Sequence, residues 1–263
     1  VNQNTHPLQQ IGLFEDFLRI DARGRRALRM LRVAALQLRT CGSRAATLQR
    51  ASLLAKEAAE KHGAQLVCLP EAWTGLYGVE YFASNAELWK AKDSGTELMS
   101  RLAEEHNIYV VGGVIEHSTA DDLLYNTIAA FGPGGEEVAR YRKMHLSCVS
   151  VGGDNTSEGS VLEAGGQLSW FDIPAETTTS AVAASTTNRG SWRVGLANCF
   201  DLRFKDLSDI LTAAPPDGLG CDLLLYPACW LNSTGQLGHW EVLLKARALD
   251  GQCFVMGCSN ARD

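Results

Sequence analysis

From Met30 onward the chain alternates short apolar runs with longer stretches in which apolar residues recur every three or four positions. LRVAALQL (31–38) is short and β-rich and predicts a first strand. Residues 45–62 place Leu48, Ala51, Ala55, Ala58 and Ala59 on one helical face, and Gly63 stands where such a helix stops. QLVCLPE predicts a second strand, ended by Pro70, residues 95–106 a helix, and NIYVVGGVIE a third strand. LYNTIAAFG and EEVARYRK flank the turn PGG, and LSWFDI and WRVGLANC follow as two more strands. DLRFKDLSDILTAA reads as a helix, DLLLYP as a strand, HWEVLLKARALDG as a helix with Gly251 after it, and QCFVMGCSN as a last strand.

Strands alternating with helices predict an α/β fold. Several strands are apolar at successive positions, so both of their faces should be covered. The hairpins among them predict mixed rather than purely parallel sheets. No internal repeat is visible.

Two segments stand apart. Residues 1–29 have weak periodicity and end in an arginine cluster, so they are expected to form an N-terminal extension outside the fold, with the domain running from 30 to 263. The arginines allow an organelle transit peptide, but Glu15, Asp16 and Asp21 argue against one because such peptides are acid-poor. Residues 175–191 hold five threonines, three serines and little to anchor a core, which predicts a flexible surface insertion between two strands.

Length and charge narrow the choice of function. At 263 residues the chain suffices for one large domain. A formal charge of −6 implies no broad basic surface, so no nucleic-acid partner is expected. No apolar run reaches the roughly 18 residues that span a bilayer, so no membrane partner is expected either. None of the eight cysteines forms a CxxC pair, and several sit in apolar runs such as LVCL and GQCFVMGC. That is the pattern of buried thiols in a reducing compartment, most simply the cytoplasm, rather than of a disulfide framework or a metal site.

Three polar residues close apolar strands. Cys199 lies where WRVGLANC gives way to DLRFKDL, and backbone N–H groups at a helix start would lower a thiol pKa and could receive an oxyanion. Glu71 follows a buried strand and a proline, a position suited to a general base. Lys143 ends a strand beside Arg140 and Arg142, with His145 just beyond. Each has a bland alternative: a core thiol, a loop glutamate, a solvated basic strand end. A Cys–His hydrolase using His145 or His239 is a further reading.

Taken together and in order, LPEAW, YRKMHL and NCFDLRF, separated by 72 and 56 residues between Glu71, Lys143 and Cys199, resemble the Glu–Lys–Cys motifs of the nitrilase (carbon–nitrogen hydrolase) superfamily. LYNT, GHWEVLLKARALD and SNARD add to the resemblance, which runs from about Leu31 to Asp263. It implies an α-β-β-α sandwich with mixed sheets, Cys199 as nucleophile, Glu71 as general base and Lys143 as the catalytic lysine. EGSVLEAGG supplies a second glutamate, Glu158, that would position substrate or the lysine. The resemblance is greatest to the omega-amidases, with the deaminated-glutathione amidases as rivals and a catalytically silent binding protein as the alternative outside catalysis. It implies a substrate pocket formed by His145, Phe200, Trp230 and Thr234, a small carboxylate-bearing amide as substrate, no metal or cofactor, and a homodimer when full length. Phe200 and Trp230 stand where tyrosine and phenylalanine are usual. Family members continue with further strands beyond SNARD, so the chain is expected to be C-terminally truncated relative to them.

Overall fold

Gly63 stops the first helix as its sequence suggests, and Ser43 caps its start. The Ser43 hydroxyl accepts from the Ala46 N–H at 3.2 Å, and Gly63 closes the other end at φ 63°, a left-handed conformation that costs glycine little. The structure, a computed structural model, describes residues 11–14, 18–20, 26–40, 43–151, 154–177 and 190–261. In chain order the elements are β1 (Ile11–Phe14), β2 (Leu18–Ile20), β3 (Arg26–Met30), β4 (Val33–Leu36), α1 (Arg44–His62), β5 (Leu66–Cys68), α2 (Val79–Asn85), α3 (Gly95–His106) and β6 (Tyr109–His117). There follow β7 (Leu124–Phe131), β8 (Glu137–Arg142), β9 (Cys148–Val151), β10 (Asp154–Ser157), β11 (Trp170–Pro174), β12 (Glu176–Thr177) and β13 (Ser191–Leu196). The last are α4 (Lys205–Thr212), β14 (Leu223–Ala228), α5 (Asn232–Gln236), α6 (His239–Gly251) and β15 (Phe254–Ser259).

Two mixed sheets carry the fold. One runs β1-β4-β5-β6-β7-β8, with the β4-β5 and β5-β6 pairs parallel and the others antiparallel. The other runs β11-β13-β14-β15, antiparallel only at β11-β13. Their inner faces share one apolar layer, in which Val33, Leu66, Val111, Ile128 and Tyr141 meet Phe171, Trp192, Leu196, Leu225 and Met256. Helices α1 and α3 cover the outer face of the first sheet through Ala51, Leu54, Ala55, Leu98 and Leu102. Helices α4 and α6 cover the outer face of the second, through Leu207, Leu211, Trp240 and Leu244. The α-β-β-α sandwich and mixed sheets are thus as the resemblance implies. β14 shows why its sequence does not alternate: Leu223 and Leu225 face the inner layer while Leu224, Tyr226 and Ala228 face the helices.

Four departures from the sequence pattern matter. Within the segment expected to lie outside the fold, β1 pairs antiparallel with β4 from Ile11↔Leu36 to Phe14↔Val33. β4 would otherwise be a sheet edge with unpaired N–H and C=O groups, and backbone pairing requires no strong side-chain periodicity. The insertion 175–191 begins with β12 against β3, and its residues 178–189 lie outside the described part of the chain. The single helix expected over 201–214 is instead a 3₁₀ turn, Cys199–Arg203, followed by α4. α6 also continues one residue further than expected, through Gly251, with Gln252 left-handed at its cap (φ 47°).

Candidate active site

Glu71 lies just past the end of β5, where main-chain bonds hold its loop against β6. Leu69 donates to Val111 at 2.7 Å, Gly113 donates to Pro70 at 3.0 Å, and Trp73 donates to Gly113 at 3.2 Å. This approach requires glycine at 113, since a Cβ there would stand 2.7 Å from the Glu71 Cα. Lys143 follows β8, and its N–H donates to the Asn126 carbonyl of β7 at 2.8 Å. Glu158 opens a 3₁₀ turn and exchanges main-chain and side-chain bonds with Ser147: its N–H donates to the Ser147 carbonyl at 2.9 Å, and its Oε2 accepts from the Ser147 N–H at 2.6 Å. Cys199 follows β13 with φ 46°, a left-handed conformation that is strained for a residue with a Cβ.

These residues meet in one buried cluster. The side chains of Glu71, Lys143 and Glu158 are fully buried, and Cys199 is 7% exposed. Lys143 Nζ donates to Glu71 Oε1 at 2.8 Å and lies 2.8 Å from Glu158 Oε2. The Cys229 N–H donates to Glu71 Oε2 at 2.8 Å, and the Tyr77 hydroxyl to Glu158 Oε1 at 2.8 Å. The Cys199 thiol lies within electrostatic reach of the Glu71 carboxylate. The group the structure brings to the thiol is thus a carboxylate, whereas His145 pairs with Asp201 and His239 lies beside Arg203.

Burial opposes charge on Lys143, but Glu158 and Glu71 outweigh it and hold the ammonium well above its ordinary pKa. Burial also opposes charge on Glu158, and Lys143 with the hydrogen bonds from Ser147 and Tyr77 brings its carboxyl below the usual range. The Cys199 thiol corrects an expectation. Rather than being lowered by a helix start, its pKa is pushed well up, by burial first and then by the Glu71 carboxylate, with Lys143 acting in the opposite sense. The turn that Cys199 begins spans five residues, too little helix to offset desolvation and a neighbouring anion. The raised pKa keeps Cys199 a neutral thiol beside Glu71.

His145 is not brought into the pocket. Its Nδ1 lies 2.7 Å from Asp201 Oδ1, and its ring stacks on Phe204 at 3.7 Å and 8°. Asp201 is a hub that ties the nucleophile turn to the lysine-bearing segment. It accepts from the Asn198 N–H at 2.9 Å, the Tyr141 hydroxyl at 2.8 Å and the His145 N–H at 3.0 Å.

Phe200, Trp230 and Thr234 do line the pocket over Cys199, together with Tyr77 and Arg203. Arg203 was not foreseen. Its guanidinium lies over the Trp230 ring at 4.9 Å and the Phe200 ring at 5.6 Å, with His239 Nδ1 at 3.5 Å. Among the described residues no carboxylate pairs with it, and burial draws its pKa down. The signal available was the basic residue in NCFDLRF, four positions after the nucleophile on a tight turn.

The family model for carbon-nitrogen hydrolases matches residues 32–263, the stretch that supplies every residue of this cluster. The chain belongs to that family. Omega-amidase NIT2 of Bos taurus is 38% identical over 233 residues, covering 88% of this chain and 75% of that protein. NIT2-A of Xenopus laevis, also an omega-amidase, is 40% identical over 217 residues, covering 82% and 69%. Among solved structures, Saccharomyces cerevisiae Nit3, of branch 10 of the nitrilase superfamily, superposes with a TM-score of 0.71 at 27% identity, over 90% of this chain and 78% of that one. This carbon–nitrogen hydrolase is an amidase.

Proposed function

We propose that the protein hydrolyses the terminal carboxamide of a small carboxylate-bearing substrate, such as α-ketoglutaramate, to a carboxylate and ammonia. The observation that carries this reading is Arg203, a guanidinium without a carboxylate partner among the described residues, in the same pocket as Cys199. Its fork of donors suits a carboxylate at the far end of the substrate from the scissile amide. The enclosed space over Cys199 is small, about 20 Å³, and favours a short dicarboxylate-like amide over a peptide-sized one.

The chemistry follows from the cluster. Glu71 takes the thiol proton as Cys199 Sγ attacks the amide carbon. Two of the three Lys143 N–H groups already bind Glu71 and Glu158, leaving one for the developing oxyanion. The Phe200 N–H, in the first turn of a 3₁₀ segment, adds a second donor in this reading. Glu71 then passes its proton to the departing nitrogen, and ammonia leaves a thioester on Cys199. Water, activated by Glu71, cleaves the thioester and regenerates the thiol. A neutral resting thiol fits this order, because the proton transfer happens only when an electrophile is present.

The test is ammonia release from α-ketoglutaramate, deaminated glutathione and butyramide, with Cys199→Ala as blank and Arg203→Met as the specificity probe. The expected result is turnover of α-ketoglutaramate that vanishes in the blank. In Arg203→Met, kcat/KM for α-ketoglutaramate falls by about 10- to 100-fold, the worth of a charge-assisted bond, while butyramide is unaffected. Equal losses on both substrates would remove Arg203 as the carboxylate receptor. Preferential turnover of deaminated glutathione would replace the substrate assignment.

A further inference from the structure

One residue outside the Glu–Lys–Cys set bonds to both carboxylates, to the main chain of the lysine and to the neighbour of the cysteine. Asn126 lies in β7 opposite Ile115, and both it and Asn198 are fully buried. Its Nδ2 donates to Glu71 Oε1 at 2.8 Å and to Glu158 Oε1 at 2.9 Å. Its Oδ1 accepts from Asn198 Nδ2 at 2.8 Å, and Asn198 is the residue before Cys199. Its carbonyl accepts the Lys143 N–H at 2.8 Å. Both amide protons and the amide oxygen are thus committed, so only one orientation of the side chain satisfies the site.

The residue type follows from charge. Glu71 and Glu158 already share one ammonium. A second cation between them would hold Glu71 in its charged form and weaken it as a proton acceptor. A third carboxylate would repel both and make the thiol harder still to ionise. A neutral group with two N–H donors supplies a hydrogen bond to each carboxylate without altering the charge of the cluster. The groups that face Cys199 from the surrounding segments are Glu71, Lys143, Glu158, Tyr77 and Arg203, so Asn126 works among charges rather than beside a single pair.

We propose that Asn126 is a positioning residue for this reaction: its amide sets the two carboxylates against Lys143 and, through Asn198, fixes their distance from the Cys199 thiol. The proposal deepens the amidase reading above and rests on it for the identity of the base. Two variants test it. Asn126→Asp is isosteric but adds a negative charge, and Asn126→Ser is neutral but has one donor for two carboxylates.

The first readout needs no substrate: the rate at which iodoacetamide alkylates Cys199, followed by peptide mass spectrometry from about pH 5 to about pH 9. The second is kcat and KM for α-ketoglutaramate. In Asn126→Asp the alkylation profile is expected to move up by about one pH unit, and at neutral pH the rate falls about tenfold. In Asn126→Ser, kcat is expected to fall by about 100-fold with KM within about twofold, as for a residue that orients rather than binds. Wild-type alkylation and kcat in both variants would overturn the proposal. So would losses that merely track a drop in thermal stability, with the alkylation profile unmoved. If Asn126→Asp does not fold, Asn126→Ser decides alone: a wild-type kcat overturns the proposal, and a loss of kcat at constant KM in folded protein supports it. If the wild-type protein leaves α-ketoglutaramate intact while the alkylation profile still moves, the substrate assignment fails and the positioning role stands.

Discussion

Replacing Lys143 with methionine keeps the length and apolar stem of the side chain and removes only its charge. In the wild-type protein the ammonium lies 2.8 Å from a carboxylate oxygen of each of Glu71 and Glu158, all three side chains being fully buried. At an effective dielectric of about 20, each contact corresponds to roughly 6 kcal/mol of attraction, most of it offset by the desolvation of three charges. The quantity that survives is the cost of leaving buried charge uncompensated, about 3–5 kcal/mol. That cost should depend on pH. In the wild type Lys143 outweighs burial and holds Glu158 below its ordinary range, so its contribution is complete above the unfolded value of about 4.3 and is lost only at lower pH. Without Lys143, burial dominates and the folded Glu158 prefers its proton. The penalty is then absent near pH 4 and grows by about 1.4 kcal/mol per unit as pH rises toward the new folded value. Urea unfolding of Lys143→Met followed by tryptophan fluorescence should therefore show a deficit of about 3–5 kcal/mol near pH 7.5, most of it recovered near pH 5. The corresponding fall in Tm at neutral pH is on the order of 10 °C. A deficit below about 1 kcal/mol, or one equal at both pH values, would refute the view that this lysine is the buried counter-ion of two carboxylates.

Two further substitutions test the backbone that presents the site. In Gly113→Ala the new Cβ stands 2.7 Å from the Glu71 Cα and 3.0 Å from the Ala72 nitrogen, main-chain atoms that can yield only by moving the base. kcat should fall by about 100-fold with little change in KM, and an unchanged kcat would show that the placement of Glu71 tolerates that shift. At Cys199, where φ is 46°, glycine relieves strain that alanine retains. Cys199→Gly should therefore be more stable than Cys199→Ala by about 1 kcal/mol in urea titrations, and the opposite ranking would contradict a strained nucleophile.

Periodicity and local punctuation alone determined much of this protein. The alternation of strands and helices, the cap at Gly63, the continuous apolar runs such as DLLLYP, and the placement of Glu71, Lys143 and Cys199 after strands are all written within windows of a few residues. Their motifs also carried the family resemblance that the match over 32–263 bears out. What the tertiary structure decided depends on residues far apart in the chain. β1 joins the sheet because β4 needs a partner, which no local pattern in IGLF announces. His145, next but one to Lys143, turns to Asp201 and Phe204 rather than to the pocket. Arg203 becomes a pocket cation only because no carboxylate among the described residues packs against it. Asn126 reads in sequence as one polar residue in an apolar strand, and its partners lie 32 to 72 positions away. The thiol of Cys199 shows the physical reason most plainly. Helix polarity is local and can be read from a motif, but desolvation and a carboxylate from another strand are set by packing, and at this site they outweigh it.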